Sequence, residues 1–543
     1  MSAEPVTAAR PSPWTRADRP DRAPIVRRIG LWTALVALAS GFVLIGGGNL
    51  DLGPIEARLG LSAGEGIGPF GQVFGGWEPA LWPAQVAPSV LWAWGEAGGI
   101  PTSASVRWPA AIAGILAGLI LAHRAWGRLG GSAGVLTAAC WFGSVALIDR
   151  SAGAGLDLIA GLATVAALDR ILARGSDLIA GLWAALAFLG AGWPPLLVIA
   201  LATLVVGRRE AMLTPALMAP PLVTCAAWSA WALSVTRAQV WASALALPLT
   251  RHSAWGMAVG VVALGLPWSP IAALTASRSV RDGWPALGRT WVIGWLQVTM
   301  VSLFVGTVIP GMASAARLPA LAGLAVTAAA CCDRAWAGAL STSARRGFQA
   351  LAVSLVALWV AIVVVGGLYL GFTVPYYHRL VIVLIALAVP TGLVALASVL
   401  KADARRALLA LAAVAVGLKL AHWGYYVPEW NYRRSQGPWG RAIGQWVPPR
   451  WPIYMMHTWP ADLAFATGRP ARQLAYPRHL AFQEGTGPRF VLLLASEFEH
   501  WPKDAPALIP MARFQDERGG TRVLARTEGE FSLKFLDRQK PED

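Results

Sequence analysis

Long apolar runs separated by short polar loops fill most of the chain between residues 30 and 421. A membrane-spanning helix needs roughly 20 mostly apolar residues, and the runs predict about thirteen such helices. The predicted spans are 30–48, 108–124, 131–149, 153–172, 178–192, 194–207, 212–233, 254–274, 291–310, 315–332, 347–371, 378–400 and 404–421. The fifth and sixth are short and meet at Trp193-Pro194-Pro195. They are therefore either two spans or one broken unit.

The pattern changes after residue 421, where short apolar runs alternate with polar turns. Runs at 453–456, 490–495 and 522–526 predict β-strands, and 460–467 predicts a short helix. The predicted fold is a polytopic α-helical membrane protein with a C-terminal extracytoplasmic α/β domain. We divide it into a disordered basic tail (1–29), a transmembrane domain (30–421) and the α/β domain (422–543).

Charge predicts how the spans are oriented. The 543 residues are 56% hydrophobic and 14% charged, with a formal net charge of +16. The basic residues are spread over alternate short loops rather than gathered in one patch, which favours positive-inside topology over nucleic-acid binding. With an odd number of spans, the N-terminus is cytoplasmic and the C-terminal domain is periplasmic. The basic loop residues are Arg124, Arg128, Arg170, Arg174, Arg208, Arg209, Arg278, Arg281, Arg289, Arg334, Arg345, Arg346, Lys401, Arg405 and Arg406.

The cysteines do not indicate a metal centre or a disulfide framework. All four lie inside apolar runs, and none has metal-ligand spacing with a histidine. No P-loop, HExxH or GxSxG motif occurs in a suitable context. We therefore predict no cofactor and no metal. The cysteines are Cys140, Cys225, Cys331 and Cys332.

The first long loop, residues 49–107, is the predicted active-site loop. Loops of this length are uncommon unless they are functional or disordered, and this one is too rich in Trp and Leu for disorder. Asp51 and Glu56 follow the first span closely, where a partly shielded carboxylate can act as a general base. The alternative for each is an ordinary solvated loop charge. Arg58 and Glu78 belong to the same loop, and Arg107 lies at its end.

Further candidates lie near the outer ends of later spans. Asp157 begins the fourth span, and an acid inside a span is a functional-site hypothesis by default. Its alternative is a side chain that reaches the membrane edge. His378 and Arg379 follow Tyr376-Tyr377 at the start of the twelfth span. Arginine there suits a lipid phosphate, and the alternative is an interfacial aromatic belt.

Four motifs resemble those of the GT-C superfamily of integral-membrane glycosyltransferases, in its branch of protein mannosyltransferases and aminoarabinose lipid A transferases. They are Pro54-Ile55-Glu56-Ala57-Arg58, Trp77-Glu78-Pro79, Arg107-Trp108-Pro109-Ala110-Ala111 and the stretch from Ala184 to Pro194. The chain departs from the family at Ile55, where the family has its catalytic Asp, and at Pro79 or Ala80 and Ala191, where the family has lysines.

The resemblance implies an inverting glycosyltransferase in the inner membrane. Its partners would be a polyprenyl-phosphate-linked sugar donor, a lipid, glycan or protein acceptor, and membrane lipids. Glu56, Asp51 or Glu65 would then be the base, with Glu56 or Asp51 favoured. Arg58, Arg107 or Arg379 would hold the phosphate, and Glu78 and Asp157 would position substrate. Two other functions stay open: a non-catalytic binding or scaffold subunit, favoured by the missing Asp and lysines, and a lipid or glycan transporter, disfavoured by the lack of an internal repeat.

Overall fold

The computed structural model is mostly helical, with one small sheet near the C-terminus. It describes residues 32, 35–37, 40–41, 51, 57, 103–150, 156–212, 214–236, 254–309, 311–449, 451–456, 461–474, 476–482, 487–515 and 520–527. The predicted basic tail 1–29 and nearly all of the loop 49–107 lie outside these residues.

Helices occur at every predicted span that the described residues cover. In the membrane domain they are Ser103–Leu129, Gly131–Phe142, Val145–Arg150, Leu156–Leu172, Asp177–Ala191, Trp193–Val205, Arg209–Met212, Pro215–Thr236, Ala254–Leu264, Ser269–Ala273, Arg278–Arg281, Ala286–Val308, Ala313–Trp336, Thr342–Thr373, His378–Leu400 and Ala404–Ala421. Short 3₁₀ turns occupy Leu274–Ala276 and Pro375–Tyr377, and a π-helix occupies His422–Tyr426. The helices Val427–Arg433 and Gly437–Trp446 follow it.

Among the described residues, six helices are long and apolar enough to cross a membrane, so the chain is a multi-pass membrane protein. The pair Gly256–Leu264 and Ser269–Ala276, bent by 107°, would make a seventh span. The count of thirteen is not confirmed, because several helices at predicted spans are short: Gly131–Phe142 has 12 residues and Trp193–Val205 has 13. The predicted break near Trp193 falls at Gly192, whose φ of 75° ends the preceding helix.

Small residues let the helices of the membrane domain pack closely around large aromatic side chains. Trp141, Trp291 and Trp295 are almost completely buried. Gly118 faces Trp141, and a Cβ at that glycine would lie only 2.9 Å from the indole Nε1. Close approach at small residues is a common way to pack helices in a membrane. The apolar composition thus serves packing as well as insertion.

Polar contacts collect at two opposite ends of the helical domain. At one end, which we call the tail face, Asp51 and Asp149 contact the segment 422–441, directly before the C-terminal sheet. At the other end, the opposite face, Ser132 bonds to Asp333 and Arg405 bonds to the Trp336 carbonyl. The basic loops, which are predicted to be cytoplasmic, lie at the opposite face. Which face is cytoplasmic stays a prediction.

Five strands form the C-terminal sheet in the described part of the chain: β1 Ile453–Met455, β2 Ala471–Gln473, β3 Phe490–Leu494, β4 Leu508–Gln515 and β5 Thr521–Thr527. Their order in the sheet is β2-β1-β3-β5-β4. Strand β1 is parallel to β2 and β3, whereas β5 is antiparallel to β3 and β4. Short helices occupy Ala461–Ala466 and Ala495–Glu499, and a 3₁₀ helix occupies Pro477–Phe482.

The three predicted strands and the predicted short helix are therefore confirmed. Two further strands were missed, for different physical reasons. Strand β2 reads ARQ and therefore has no apolar run that could predict it. Strand β4 contains Pro510 beside a register shift, and proline within a run argues against a strand except at an edge or a bulge.

Candidate functional site

The described part of the candidate site is built around the carboxylate of Asp51. Arg441 donates from Nη1 to Asp51 Oδ1 at 2.8 Å and from Nη2 to Oδ2 at 3.4 Å. Ser435 Oγ donates to Asp51 Oδ2 at 2.7 Å, and the Asp51 backbone N–H donates to Asn431 Oδ1 at 2.7 Å. Only 14% of the Asp51 side chain is exposed. The start of the predicted active-site loop is thus bound to the segment that leads into the C-terminal sheet.

The local sequence explains why this segment presents its donors together. Ser435 Oγ accepts a hydrogen bond from the Gly437 backbone N–H at 2.8 Å while it donates to Asp51. This bond forms at the start of the helix Gly437–Trp446, which has proline in its first turn. Arg441 lies one turn further along, on the side that meets Asp51. Gly437 itself leaves the space that the carboxylate fills, since a Cβ there would lie 2.5 Å from Asp51 Cγ.

A second polar cluster at the tail face surrounds Glu429. Tyr377 and Tyr376 donate their phenol hydroxyls to Glu429 Oε1 at 2.7 and 3.0 Å. Arg433 lies one helical turn after Glu429, with its Nε 2.7 Å from Oε2. The cluster holds the start of the helix His378–Leu400 against the segment that follows the last predicted span.

A short π-helix leads into this segment. Such elements are rare and frequently occur at functional sites. His422 opens the π-helix, stacks on Tyr426 at 5.0 Å between ring centroids, and places Nε2 3.7 Å from Asp149 Oδ1. The contact joins the end of the helix Val145–Arg150 to the same segment as Asp51 and Tyr377.

The other predicted site residues are described to different extents. Arg107 is buried in the helix Ser103–Leu129, with 1% of its surface exposed. His378 and Arg379 are exposed at the start of their helix at the tail face. Asp157 is the second residue of the helix Leu156–Leu172, of which the structure describes the backbone but not the Asp157 side chain. Glu56, Arg58 and Glu78 lie outside the described residues.

Burial makes Arg107 the most constrained of these candidates. Removing a guanidinium from water costs several kcal/mol unless hydrogen bonds and opposite charge compensate it. In a membrane protein such a residue is a functional-site hypothesis by default. Arg107 lies at the start of the span that follows the predicted active-site loop. The next residue, Trp108, is 45% exposed.

Reading the sequence missed Ser435, Asn431, Arg441, Glu429 and Arg433. All five lie in the run 427–441, which follows the last apolar span and reads VPEWNYRRSQGPWGR. The available signal was the density of aromatic and charged residues directly after a span. Glu429 and Arg433 also have the i, i+4 spacing of a helical ion pair.

No group of three or more His, Cys, Asp or Glu side chains in the described part of the chain could hold a metal ion. The four cysteines are free; Cys140, Cys331 and Cys332 are buried, and Cys225 is half-buried. The polar groups that the structure brings together at the tail face are instead carboxylates with arginines, tyrosines and a serine. Such a set binds and orients hydroxyl and phosphate groups by hydrogen bonds and charge.

No family model matches this sequence, and no curated protein matches it. Solved structures of similar architecture exist. The apo crystal structure of ArnT from Cupriavidus metallidurans superposes with a TM-score of 0.66 at 16% identity, covering 93% of this chain and 100% of that one. The same protein bound to undecaprenyl phosphate superposes with a TM-score of 0.66 at 15% identity, covering 93% and 99%. ArnT is an aminoarabinose lipid A transferase of the GT-C type. The GT-C resemblance of the sequence motifs is thus confirmed as a likeness of fold.

Proposed function

We propose that this protein is a membrane glycosyltransferase. It moves a sugar from a polyprenyl-phosphate donor to a lipid, glycan or protein acceptor at the outer face of the inner membrane. The proposal includes about thirteen spans, with the N-terminus cytoplasmic and the sheet domain periplasmic. The observation that carries it is a fold shared with ArnT over 93% of this chain. The ArnT structure that holds undecaprenyl phosphate supports the class of donor.

The proposed reaction inverts the anomeric carbon. An acceptor hydroxyl attacks that carbon, a carboxylate of this chain takes the hydroxyl proton, and the bond to the donor phosphate breaks, releasing polyprenyl phosphate. Arg58, Arg107 and Arg379 would balance the charge on the leaving phosphate, because guanidinium binds phosphate oxygens without a metal. Glu78, Asp157 and His378 would position the sugar and acceptor.

Two carboxylates of the loop are candidates for the base, and we favour Glu56. Both oxygens of Asp51 already accept hydrogen bonds from Arg441 and Ser435. Glu56 lies five residues further along, directly before Ala57, which is completely buried. Asp51 is hydrogen-bonded and Ala57 is buried, and these two residues precede and follow Glu56 in the sequence. Holding a base in place contributes much of its effect. Asp51 would be the anchor and Glu56 the proton acceptor.

The test is turnover of radiolabelled undecaprenyl-phosphate sugars (hexose, pentose and aminopentose) by purified protein with membrane-derived acceptor. Loss of a general base costs about 10²–10⁴-fold in rate. Glu56→Gln should cut turnover by that order while donor binding stays nearly unchanged, whereas Asp157→Asn should weaken donor binding first. Glu210→Gln, on an exposed residue of the short helix Arg209–Met212, is the matched control and should behave as wild type.

The outcomes separate the alternatives. Wild-type turnover by Glu56→Gln would move the base to Asp51. If both substitutions leave turnover unchanged, or if no donor of the panel is consumed although undecaprenyl phosphate binds, a non-catalytic binding subunit explains the protein better. The residue Ile55 at the family's Asp position is the observation that keeps this second function open.

A further inference from the structure

A cavity of about 560 Å³ opens near the opposite face, away from Asp51 and the sheet domain. Its polar rim contains Arg124 and Arg170, which lie near the last turns of the helices Ser103–Leu129 and Leu156–Leu172. His123 and two tryptophans, Trp32 and Trp183, complete the rim. No acidic side chain is among the described residues that line the cavity. A pocket of this kind attracts an anion.

A buried aspartate outside the cavity fixes one of the two guanidinium groups. Arg124 donates from Nε to Asp169 Oδ2 at 2.9 Å, and Trp291 Nε1 donates to Asp169 Oδ1 at 3.1 Å. The Asp169 side chain is 1% exposed. Arg124 therefore lines the cavity while its Nε is held by Asp169. Asp169 neutralises one charge, and Arg170 leaves the cavity with a positive excess.

The apolar lining continues from this rim toward the middle of the membrane. Ile120 and Leu116 precede Arg124 by four and eight residues on the same helix, which places them about 6 and 12 Å deeper. Ala166 precedes Arg170 by one turn on the neighbouring helix. The site is therefore basic at the membrane edge and apolar below it. A free phosphate ion would use only the first half of such a site.

We infer that this cavity binds one phospholipid with an anionic headgroup. Its phosphate would lie between Arg124 and Arg170, and the first part of its acyl chains would lie against Leu116 and Ile120. Trp32 stacks on Trp126 at 5.6 Å between ring centroids and would cover the headgroup at the interface, where tryptophan is enriched. Basic pockets between membrane helices are suited to such lipids. The inference is independent of the proposed transfer reaction.

The test is native mass spectrometry of the purified full chain in an equimolar mixture of dioleoyl phosphatidylglycerol and dioleoyl phosphatidylcholine. The wild type should retain one phosphatidylglycerol in preference to phosphatidylcholine. Arg170→Gln should lower this retention about five- to tenfold, the effect expected of one basic residue beside an anionic headgroup. Arg170→Lys should lower it less. Arg124 is left intact, because its loss would expose Asp169 to an uncompensated burial cost.

The control is Arg346→Gln, which removes one exposed arginine near the same face, outside the cavity lining. It should retain phosphatidylglycerol as the wild type does. Equal retention by Arg170→Gln, or an equal loss in Arg346→Gln, would overturn the inference. A competition experiment with water-soluble glycerol phosphate distinguishes the two sources of phosphate. If glycerol phosphate displaces the lipid completely at the same concentration, the site binds free phosphate and the lipid assignment is wrong. Unchanged elution and melting temperature in the absence of phosphatidylglycerol show that Arg170→Gln is folded.

Discussion

Replacing Gly437 by alanine should detach Asp51, at the start of the predicted active-site loop, from the segment 422–441 while leaving the fold intact. A Cβ at this position would lie 2.5 Å from Asp51 Cγ and 2.9 Å from Oδ1. Carbon contacts normally lie at 3.5–4.0 Å, so the carboxylate must move by about 1 Å. A shift of this size breaks the 2.7 Å bond from Ser435 and the 2.8 Å contact with Arg441.

The magnitude follows from these two contacts. A hydrogen bond to a charged group contributes about 1.5–3 kcal/mol. The Arg441 side chain is 55% exposed, which limits its ion pair with Asp51 to about 1 kcal/mol or less. Docking of the loop therefore weakens by about 2–4 kcal/mol. If transfer requires the docked loop, turnover falls by about 30- to 1,000-fold, at 1.36 kcal/mol per factor of ten.

Two measurements check this prediction. Hydrogen exchange of the peptide containing Asp51 should accelerate, because its amide donates to Asn431. Turnover of the polyprenyl-phosphate sugar should fall in parallel, with a melting temperature close to wild type. Gly366→Ala is the matched control, since a Cβ at Gly366 would meet nothing within 4 Å. In an Asp51→Asn background the extra effect of Gly437→Ala should shrink, because the two changes act on one contact. Unchanged exchange in Gly437→Ala would refute the anchoring role of Asp51.

Three further predictions concern stability, topology and metal dependence. Arg124→Met should lower the free energy of unfolding by about 3–5 kcal/mol, because it leaves Asp169 buried without its partner. Adding Asp169→Leu to the same chain should restore most of this loss, as measured by unfolding in detergent. Equal stability of the single and double variants would contradict this. Cysteines placed at Gly64 and Gly485 should both be labelled from outside in cells with a permeable outer envelope, and labelling of only one would rule out an odd number of spans. Binding of a polyprenyl-phosphate donor should survive chelator, because arginines supply the charge; a loss reversed by magnesium alone would show that the arginines are insufficient.

Local patterns were enough to predict the helical domain, because insertion depends on the apolar content of each segment by itself. The same holds for the central strands β1, β3 and β5, each of which contains a run of at least three apolar residues. Length is less well predicted: the run 131–149 is mostly apolar but forms two helices, Gly131–Phe142 and Val145–Arg150. Hydropathy indicates only that a segment is shielded from water. A short helix inside a bundle is shielded as well as a full span is, so hydropathy does not fix the helix length.

The candidate site was likewise predicted only in part from the sequence. Sequence reading placed Asp51 in a functional loop and Tyr376-Tyr377 at a membrane edge, because each lies next to the end of an apolar run. It did not find Arg441, which lies 390 residues from Asp51 along the chain. Nor did it find Glu429, whose contact with Tyr377 spans 52 residues. Hydrophobic periodicity is a local property, whereas these contacts depend on which helices become neighbours. The sequence by itself determined that this chain enters a membrane and carries carboxylates at its edge, and only the tertiary packing decided which arginine, serine and tyrosine each carboxylate meets.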